Sequence, residues 1–130
     1  MSRYVCDTLP LVLHLERRKL PVGVKMCFQL AEKGDYVLLV PSVVVEEIDY
    51  LCESGIISLN ITEVEEYLKR YSSIRECPMD KNVSQKTFEI TDIVQLHDKL
   101  VAGTGCYFNI PIITNDPDIQ QSKFVTTYWE

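Results

Sequence analysis

Apolar positions along the chain fall in short blocks divided by polar turns, and the blocks alternate between two kinds of spacing. Residues 4–6 form a brief apolar run closed by Asp7, the pattern of a short buried strand. Over residues 9–18, Leu11, Val12 and Leu15 recur at helical spacing, and Pro10 is tolerated in a first turn, where its missing N–H would have no intrahelical acceptor. A second helix is expected over 22–33, stopped by Gly34. Residues 36–40 (YVLLV) are continuously apolar between Asp35 and Pro41, which suits a strand covered on both faces. Ser42 is the expected N-cap of a helix that ends at Gly55. Residues 61–70 are amphipathic and laced with charge, a surface helix. A short strand over 74–77, a helix over 95–108 and a strand over 111–114 (PIIT) follow, and the β-prone FVTTYW near the end predicts an edge strand. Short apolar strands alternating with helices predict an α/β fold, a three-layer sandwich with a mostly parallel central sheet.

Composition narrows the class. With 130 residues, 46% apolar and 25% charged, and no repeat or linker, residues 1–130 are expected to form a single globular domain. Thirteen Lys and Arg against nineteen Asp and Glu leave −6, so a nucleic acid would not be held by bulk charge and would need a local basic patch or a metal. The five cysteines form no CxxC and no zinc-type spacing, and an odd count suits reduced thiols buried as small hydrophobes. No apolar run approaches the roughly 20 residues that span a bilayer, and the opening segment, with Asp7 and charge after a short apolar stretch, is unlike a signal peptide. A cytoplasmic protein with no membrane partner is expected.

The informative residues are acids in costly places. Asp7 and Asp116 each follow a predicted strand, where open parallel sheets gather ligands; each also reads as the N-cap of a following helix, Asp116 with Pro117 at the first helical position. Glu47 has Val43, Val44, Tyr50 and Leu51 as its helical neighbours, so its carboxylate sits in an apolar stripe, whereas Glu46 faces a more polar side. Asp98 has Val94, Gln95, Val101 and Ala102 around it, followed by the small residues Ala102, Gly103 and Gly105 that allow close helix packing. Each acid alone has a bland explanation: a cap, a side chain reaching water, a buried ion pair. Four converging on one sheet edge would repel unless cations neutralised them, and an all-oxygen set suits Mg²⁺ or Mn²⁺. Asp92 and Asp118 are weaker candidates nearby.

The segments YVCDT, VPSVVVEEIDYL, LHDKLVAGTG and PIITND, in this order over essentially the whole chain, resemble the PIN domain, and most closely the small single-domain ribonuclease toxins of the VapC type. The resemblance implies an endoribonuclease in which Asp7, Glu47, Asp98 and Asp116 are the catalytic and metal-binding acids, with Mg²⁺ or Mn²⁺ as cofactor and products ending in 5′-phosphate and 3′-hydroxyl. It implies RNA as substrate, a separately encoded antitoxin as partner, and a homodimer. Thr8 and Thr114 stand where such domains place hydroxyls that support the acids. Lys99 in place of Arg, Gly103 and Gly105 in place of Ala-x-Ala, and Leu9-Pro10 after Thr8 depart from the pattern; none removes an acid.

For holding RNA, Arg17, Arg18 and Lys19 at the end of the first helix are candidates, although cations at a helix C-terminus are favourable without any ligand. Lys81, Lys86 and Lys99 read first as solvated surface. His14 and His97 are not spaced as ligands of one metal, and His97 reads as a local hydrogen-bonding partner rather than a catalytic group. Alternatives are a PIN-fold RNA-processing nuclease outside a toxin–antitoxin system, and a catalytically silent interaction module. A phosphoaspartate enzyme ranks below these, since Thr8 and Leu9 follow Asp7 where a DxD is needed.

Overall fold

A computed structural model describes residues 1–130. Five strands, β1 (Arg3–Cys6), β2 (Val37–Pro41), β3 (Ile74–Cys77), β4 (Ile112–Ile113) and β5 (Thr127–Tyr128), form one sheet in the order β3-β2-β1-β4-β5, with every pair parallel. Seven helices connect and cover them: α1 (Thr8–Leu15), α2 (Val22–Glu32), α3 (Ser42–Glu53), α4 (Ile61–Arg70), α5 (Lys81–Glu89), α6 (Leu96–Phe108) and α7 (Pro117–Gln120). The chain builds outward from β1 through β2 to β3, then returns to place β4 on the other side of β1. β1 and β4 therefore flank the point where strand order reverses, and in open α/β sheets the crevice at the carboxyl ends of such strands is where ligands sit.

β1 is central and its inner residues are fully buried: Val5 pairs with both Leu39 and Ile112, and Cys6 with Ile113. Leu11, Phe28, Leu38, Ile48, Ile74 and Ile112 fill the core around it. Parallel strands buried on both faces require continuous apolar runs, which is why YVLLV and the short PIIT segment could be read as strands. All five cysteines are free, and Cys6, Cys27 and Cys77 are buried. No helix is long and apolar enough to cross a membrane.

Several boundaries differ from expectation for identifiable reasons. α1 stops at Leu15, three residues before the predicted end at Arg18. Arg17 adopts φ 57°, its N–H donates to His14 O and that of Arg18 donates to Leu13 O at 2.8 Å, which together make a Schellman closure with arginine where glycine is usual. Ser42 is not the cap of α3. Pro41 occupies that position, and the Ser42 hydroxyl, on the first helical residue, donates to Glu76 Oε2 at 2.8 Å, tying α3 to the end of β3. α5 has no counterpart among the predicted elements: it buries only Val83 and Thr87, too little apolar surface to show as a periodicity. Its start is nevertheless marked by Asp80, whose carboxylate accepts from the Val83 N–H.

Candidate active site

A cleft of about 610 Å³ opens at the carboxyl ends of β1 and β4, and Asp7, Glu47, Asp98 and Asp116 all stand on its walls. Asp7 follows β1 directly. Its N–H donates to Ile113 O, so the ladder to β4 extends into the site and fixes its backbone. Asp7 Oδ1 accepts the Thr8 N–H at 2.8 Å and caps α1, while Oδ2 accepts the Thr114 hydroxyl at 2.7 Å. The same Thr114 oxygen accepts the Asp116 N–H at 3.0 Å, so one fully buried hydroxyl ties two of the acids together. Asp116 caps α7 through Oδ1, which accepts the Asp118 N–H at 2.8 Å. The capping explanation thus holds for both strand-end acids, and the cleft position holds as well.

Asp98 enters from the first turn of α6 and is only 4% exposed. Gly105 brings α6 against β4, since a Cβ there would lie 2.6 Å from Ile112 Cγ1. Gly103 faces α5 rather than the sheet, with Thr87 pressed against its Cα. Asp98, Asp116 and Asp118 each offer a carboxylate oxygen within 4.8 Å of the others. Asp7 and Glu47 stand outside that tight group, on the walls of the same cleft. Burial, then the negative charges of Asp116 and Asp7, raise the Asp98 carboxyl from its ordinary 3.8 to about 6, with the His97 charge working the other way. Asp118, a weaker candidate in the sequence, thus stands within reach of a cation shared with Asp98 and Asp116, although it does not line the cleft itself. Asp92 does not: its carboxylate accepts from the Ser122 hydroxyl and the Lys123 N–H and holds the turn before β5.

His97, read from the sequence as a local hydrogen-bonding partner, stands among the acids of the cleft. Its Nε2 lies 3.4 Å from Glu47 Oε1, 3.7 Å from Asp7 Oδ1 and 3.4 Å from Thr8 Oγ1. Asp7 first, then Glu47 and Asp98, raise its pKa against the opposing effect of burial. The available signal was its place one residue before an inward-facing acid at a helix start. Glu47 is half-buried and reaches the cleft, while Glu46 is exposed on the outer side of α3, as their neighbours predicted. Asp7 and Gln95, the N-caps of α1 and α6, both line the cleft, so the positive ends of two helix dipoles face the acids and offset part of their repulsion.

Several solved structures resemble the chain over nearly its whole length. VapBC2 from Rickettsia felis, bound to a DNA fragment from its promoter, superposes with a TM-score of 0.77 at 16% identity over 99% of this chain and 100% of that one. DNA-bound VapBC from Salmonella typhimurium gives 0.73 at 16% identity, covering 98% of each chain. FitAcB from Neisseria gonorrhoeae gives 0.64 at 16% identity, covering 96% of each. The chain has the PIN-domain fold of VapC-type structures. No family model matches the sequence, and no curated protein matches it. In this chain the acid-lined cleft lies at the strand-order reversal, with Asp7 after β1 and Asp116 after β4 on its walls.

An all-oxygen group, with one carboxyl raised by burial and by its acidic neighbours, suits a hard divalent cation, and Asp98, Asp116 and Asp118 could hold one.

Proposed function

We propose that the chain is a Mg²⁺- or Mn²⁺-dependent endoribonuclease and the toxin of a toxin–antitoxin pair. The observation that carries this reading is the crowding of Asp98, Asp116 and Asp118, with Asp7 beside them, at the switch point of a PIN-fold sheet. Asp98, Asp116 and Asp118 would hold the cation, with Asp7 completing the set. When bound, such a cation supplies a Lewis acid that acidifies water and offsets charge at phosphorus. Thr114 and the Thr8 N–H fix both oxygens of Asp7 and so orient its remaining lone pairs. Glu47 Oε1 takes the proton of the attacking water and His97 Nε2 holds that carboxylate toward Asp7. The water oxygen bonds to phosphorus and the bond to O3′ breaks, leaving a 5′-phosphate and a 3′-hydroxyl protonated by solvent.

A solved structure from Klebsiella pneumoniae with the same fold is a toxin–antitoxin complex by name, which supports an antitoxin as partner. A partner segment carrying an Arg among apolar side chains would match this cleft, where the acids are bordered by Leu9, Leu51, Ile56 and Ile57. Homodimerisation follows from the same family reading. Incubation of purified chain with single-stranded RNA and Mn²⁺ tests the proposal: cleavage is expected, lost on adding EDTA and in Asp7→Asn. Cleavage that survives both overturns it.

A further inference from the structure

Three consecutive basic residues follow α1. Arg17 lines a cavity with His14, Glu32 and Tyr67, Arg17 and Arg18 share a smaller one with Leu20 and Lys25, Lys19 lines none, and of the three Arg18 alone also stands on the wall of the acid cleft. Arg18 is the one Lys or Arg among the residues that line it. Lys81, Lys86 and Lys99 are all absent from the lining.

We propose that Arg18 is the substrate-contact residue of the cleft, gripping a backbone phosphate of single-stranded RNA that lies along the cleft the acids line; this rests on the ribonuclease reading. The turn that delivers it is fixed. The Arg18 N–H donates to Leu13 O at 2.8 Å, and this requires Arg17 to hold a left-handed conformation that a non-glycine residue adopts only at a cost. Glu16, on the other side, accepts both the Ser58 N–H at 2.9 Å and the Ser58 hydroxyl at 2.6 Å, and its Oε1 lies 3.5 Å from Arg18 Nη1. Ser58 chiefly, then Arg18, lowers the Glu16 pKa, so a stationary anion orients the guanidinium. The Arg18 side chain is 63% exposed, bonds no carbonyl of α1 and has only this one long contact with Glu16, so its guanidinium can take a phosphate. A cation serving only to close a helix would lie on those carbonyls.

The electrostatic need is plain. A chain of net charge −6 with an acid-lined cleft repels a phosphodiester, and a divalent cation neutralises only part of that wall. A guanidinium presents a fork that matches two phosphate oxygens, which an ammonium does not.

The test is steady-state cleavage of a single-stranded RNA oligonucleotide with Mn²⁺ by wild type, Arg18→Ala, Arg18→Lys and the control Arg75→Ala on β3. Arg18→Ala is expected to raise KM about 10-fold while kcat stays within about 2-fold. The slope of log(kcat/KM) against log salt should fall by about 0.7, one phosphate contact on a single strand. Arg18→Lys should keep the salt slope and recover part of KM, and Arg75→Ala should match wild type. An Arg18→Ala protein with unchanged KM and salt slope overturns the inference alone, as does one in which kcat collapses at constant KM. A wild type that cleaves no RNA overturns the ribonuclease reading and this inference together.

Discussion

Replacing Thr114 with Val removes one hydroxyl and almost no volume, and it isolates the bond network that joins the two strand-end acids. The Thr114 side chain is fully buried; its hydroxyl donates to Asp7 Oδ2 at 2.7 Å and accepts from Asp116 N at 3.0 Å. The first bond is charge-assisted and contributes about 1.5–3 kcal/mol; the second, between neutral groups, adds about 0.5–1.5 kcal/mol. Asp7 is 6% exposed, so water replaces the lost donor only in part. Thr114→Val should therefore lose about 2–4 kcal/mol in metal-free urea unfolding. Thr104→Val is the matched control, because the Thr104 hydroxyl donates to Leu100 O within its own helix and supports no carboxylate; it should stay within about 1 kcal/mol of wild type. Titration with Mn²⁺, followed by the rise in unfolding midpoint, should show binding to Thr114→Val weakened by about 10–100-fold, the usual cost of removing a group that orients a ligand. If Thr114→Val unfolds with Thr104→Val and binds Mn²⁺ as wild type does, the hydroxyl does not organise the acids and the reasoning fails.

Asp98 has a raised folded-state pKa of about 6 against an ordinary 3.8, so its charge destabilises the metal-free fold increasingly from about pH 4 to pH 6 and fully above. Asp98→Asn should melt higher than wild type at pH 7.5 in EDTA and match it at pH 3.5; an equal offset at both values would contradict the assignment. Arg17 holds φ 57°, and glycine relieves about 1–2 kcal/mol of left-handed strain while adding about 0.5–1 kcal/mol of chain entropy to lose. Arg17→Gly should therefore raise stability by about 0.5–1 kcal/mol in a urea titration, with Arg17→Ala flat. Gly103→Ala would put a methyl group 2.9 Å from Thr87 Cα, and overpacking of about 1–3 kcal/mol should exceed the roughly 1 kcal/mol gained in helix propensity. Thermal melting of that variant should therefore fall below wild type.

The strands were legible because parallel strands buried on both faces leave no polar alternation to confuse, as in YVLLV and the run before Asp7. Helix ends were less legible, since they are set by backbone geometry that residue type only biases. Arg17 in a left-handed conformation shortens α1 against its helical pattern, and Pro41 stands at the capping position of α3 while the Ser42 hydroxyl, one residue into the helix, donates to Glu76. α5 escaped notice because its hydrophobic face is two residues wide and is completed by α6, through a contact at Gly103 that no local pattern encodes. At the site, acids in apolar stripes or at strand ends are visible from spacing alone. The approach of His97 to Glu47 and Asp7, and the closeness of Asp118 to Asp98, are tertiary facts that spacing does not carry.

Capping and the proposed metal binding look like rival accounts of Asp7 and Asp116, but a carboxylate has two oxygens and about four lone-pair positions, enough for both. Asp7 Oδ1 and Asp116 Oδ1 each accept one backbone N–H that would otherwise lack a partner, a local bond that holds the side chain without help from the rest of the fold. That bond fixes the direction of the second oxygen. For Asp7 the second oxygen meets Thr114, which in turn holds the backbone of Asp116, so the two caps are registered against each other across the β1–β4 junction. An acid that must stay ionised among other acids also gains from a helix N-terminus, whose partial positive charge favours the charged form. The cap is therefore what makes a strand-end acid usable. A sheet that reverses strand order between β1 and β4 brings two such caps to one cleft, where His97 Nε2 adds a contact of 3.7 Å to Asp7 Oδ1. The helix acids, Glu47 and Asp98, have no such anchor, and they are the two whose positions depend on tertiary packing: His97 beside the first, and the close approach of α6 to β4 at Gly105 beneath the second.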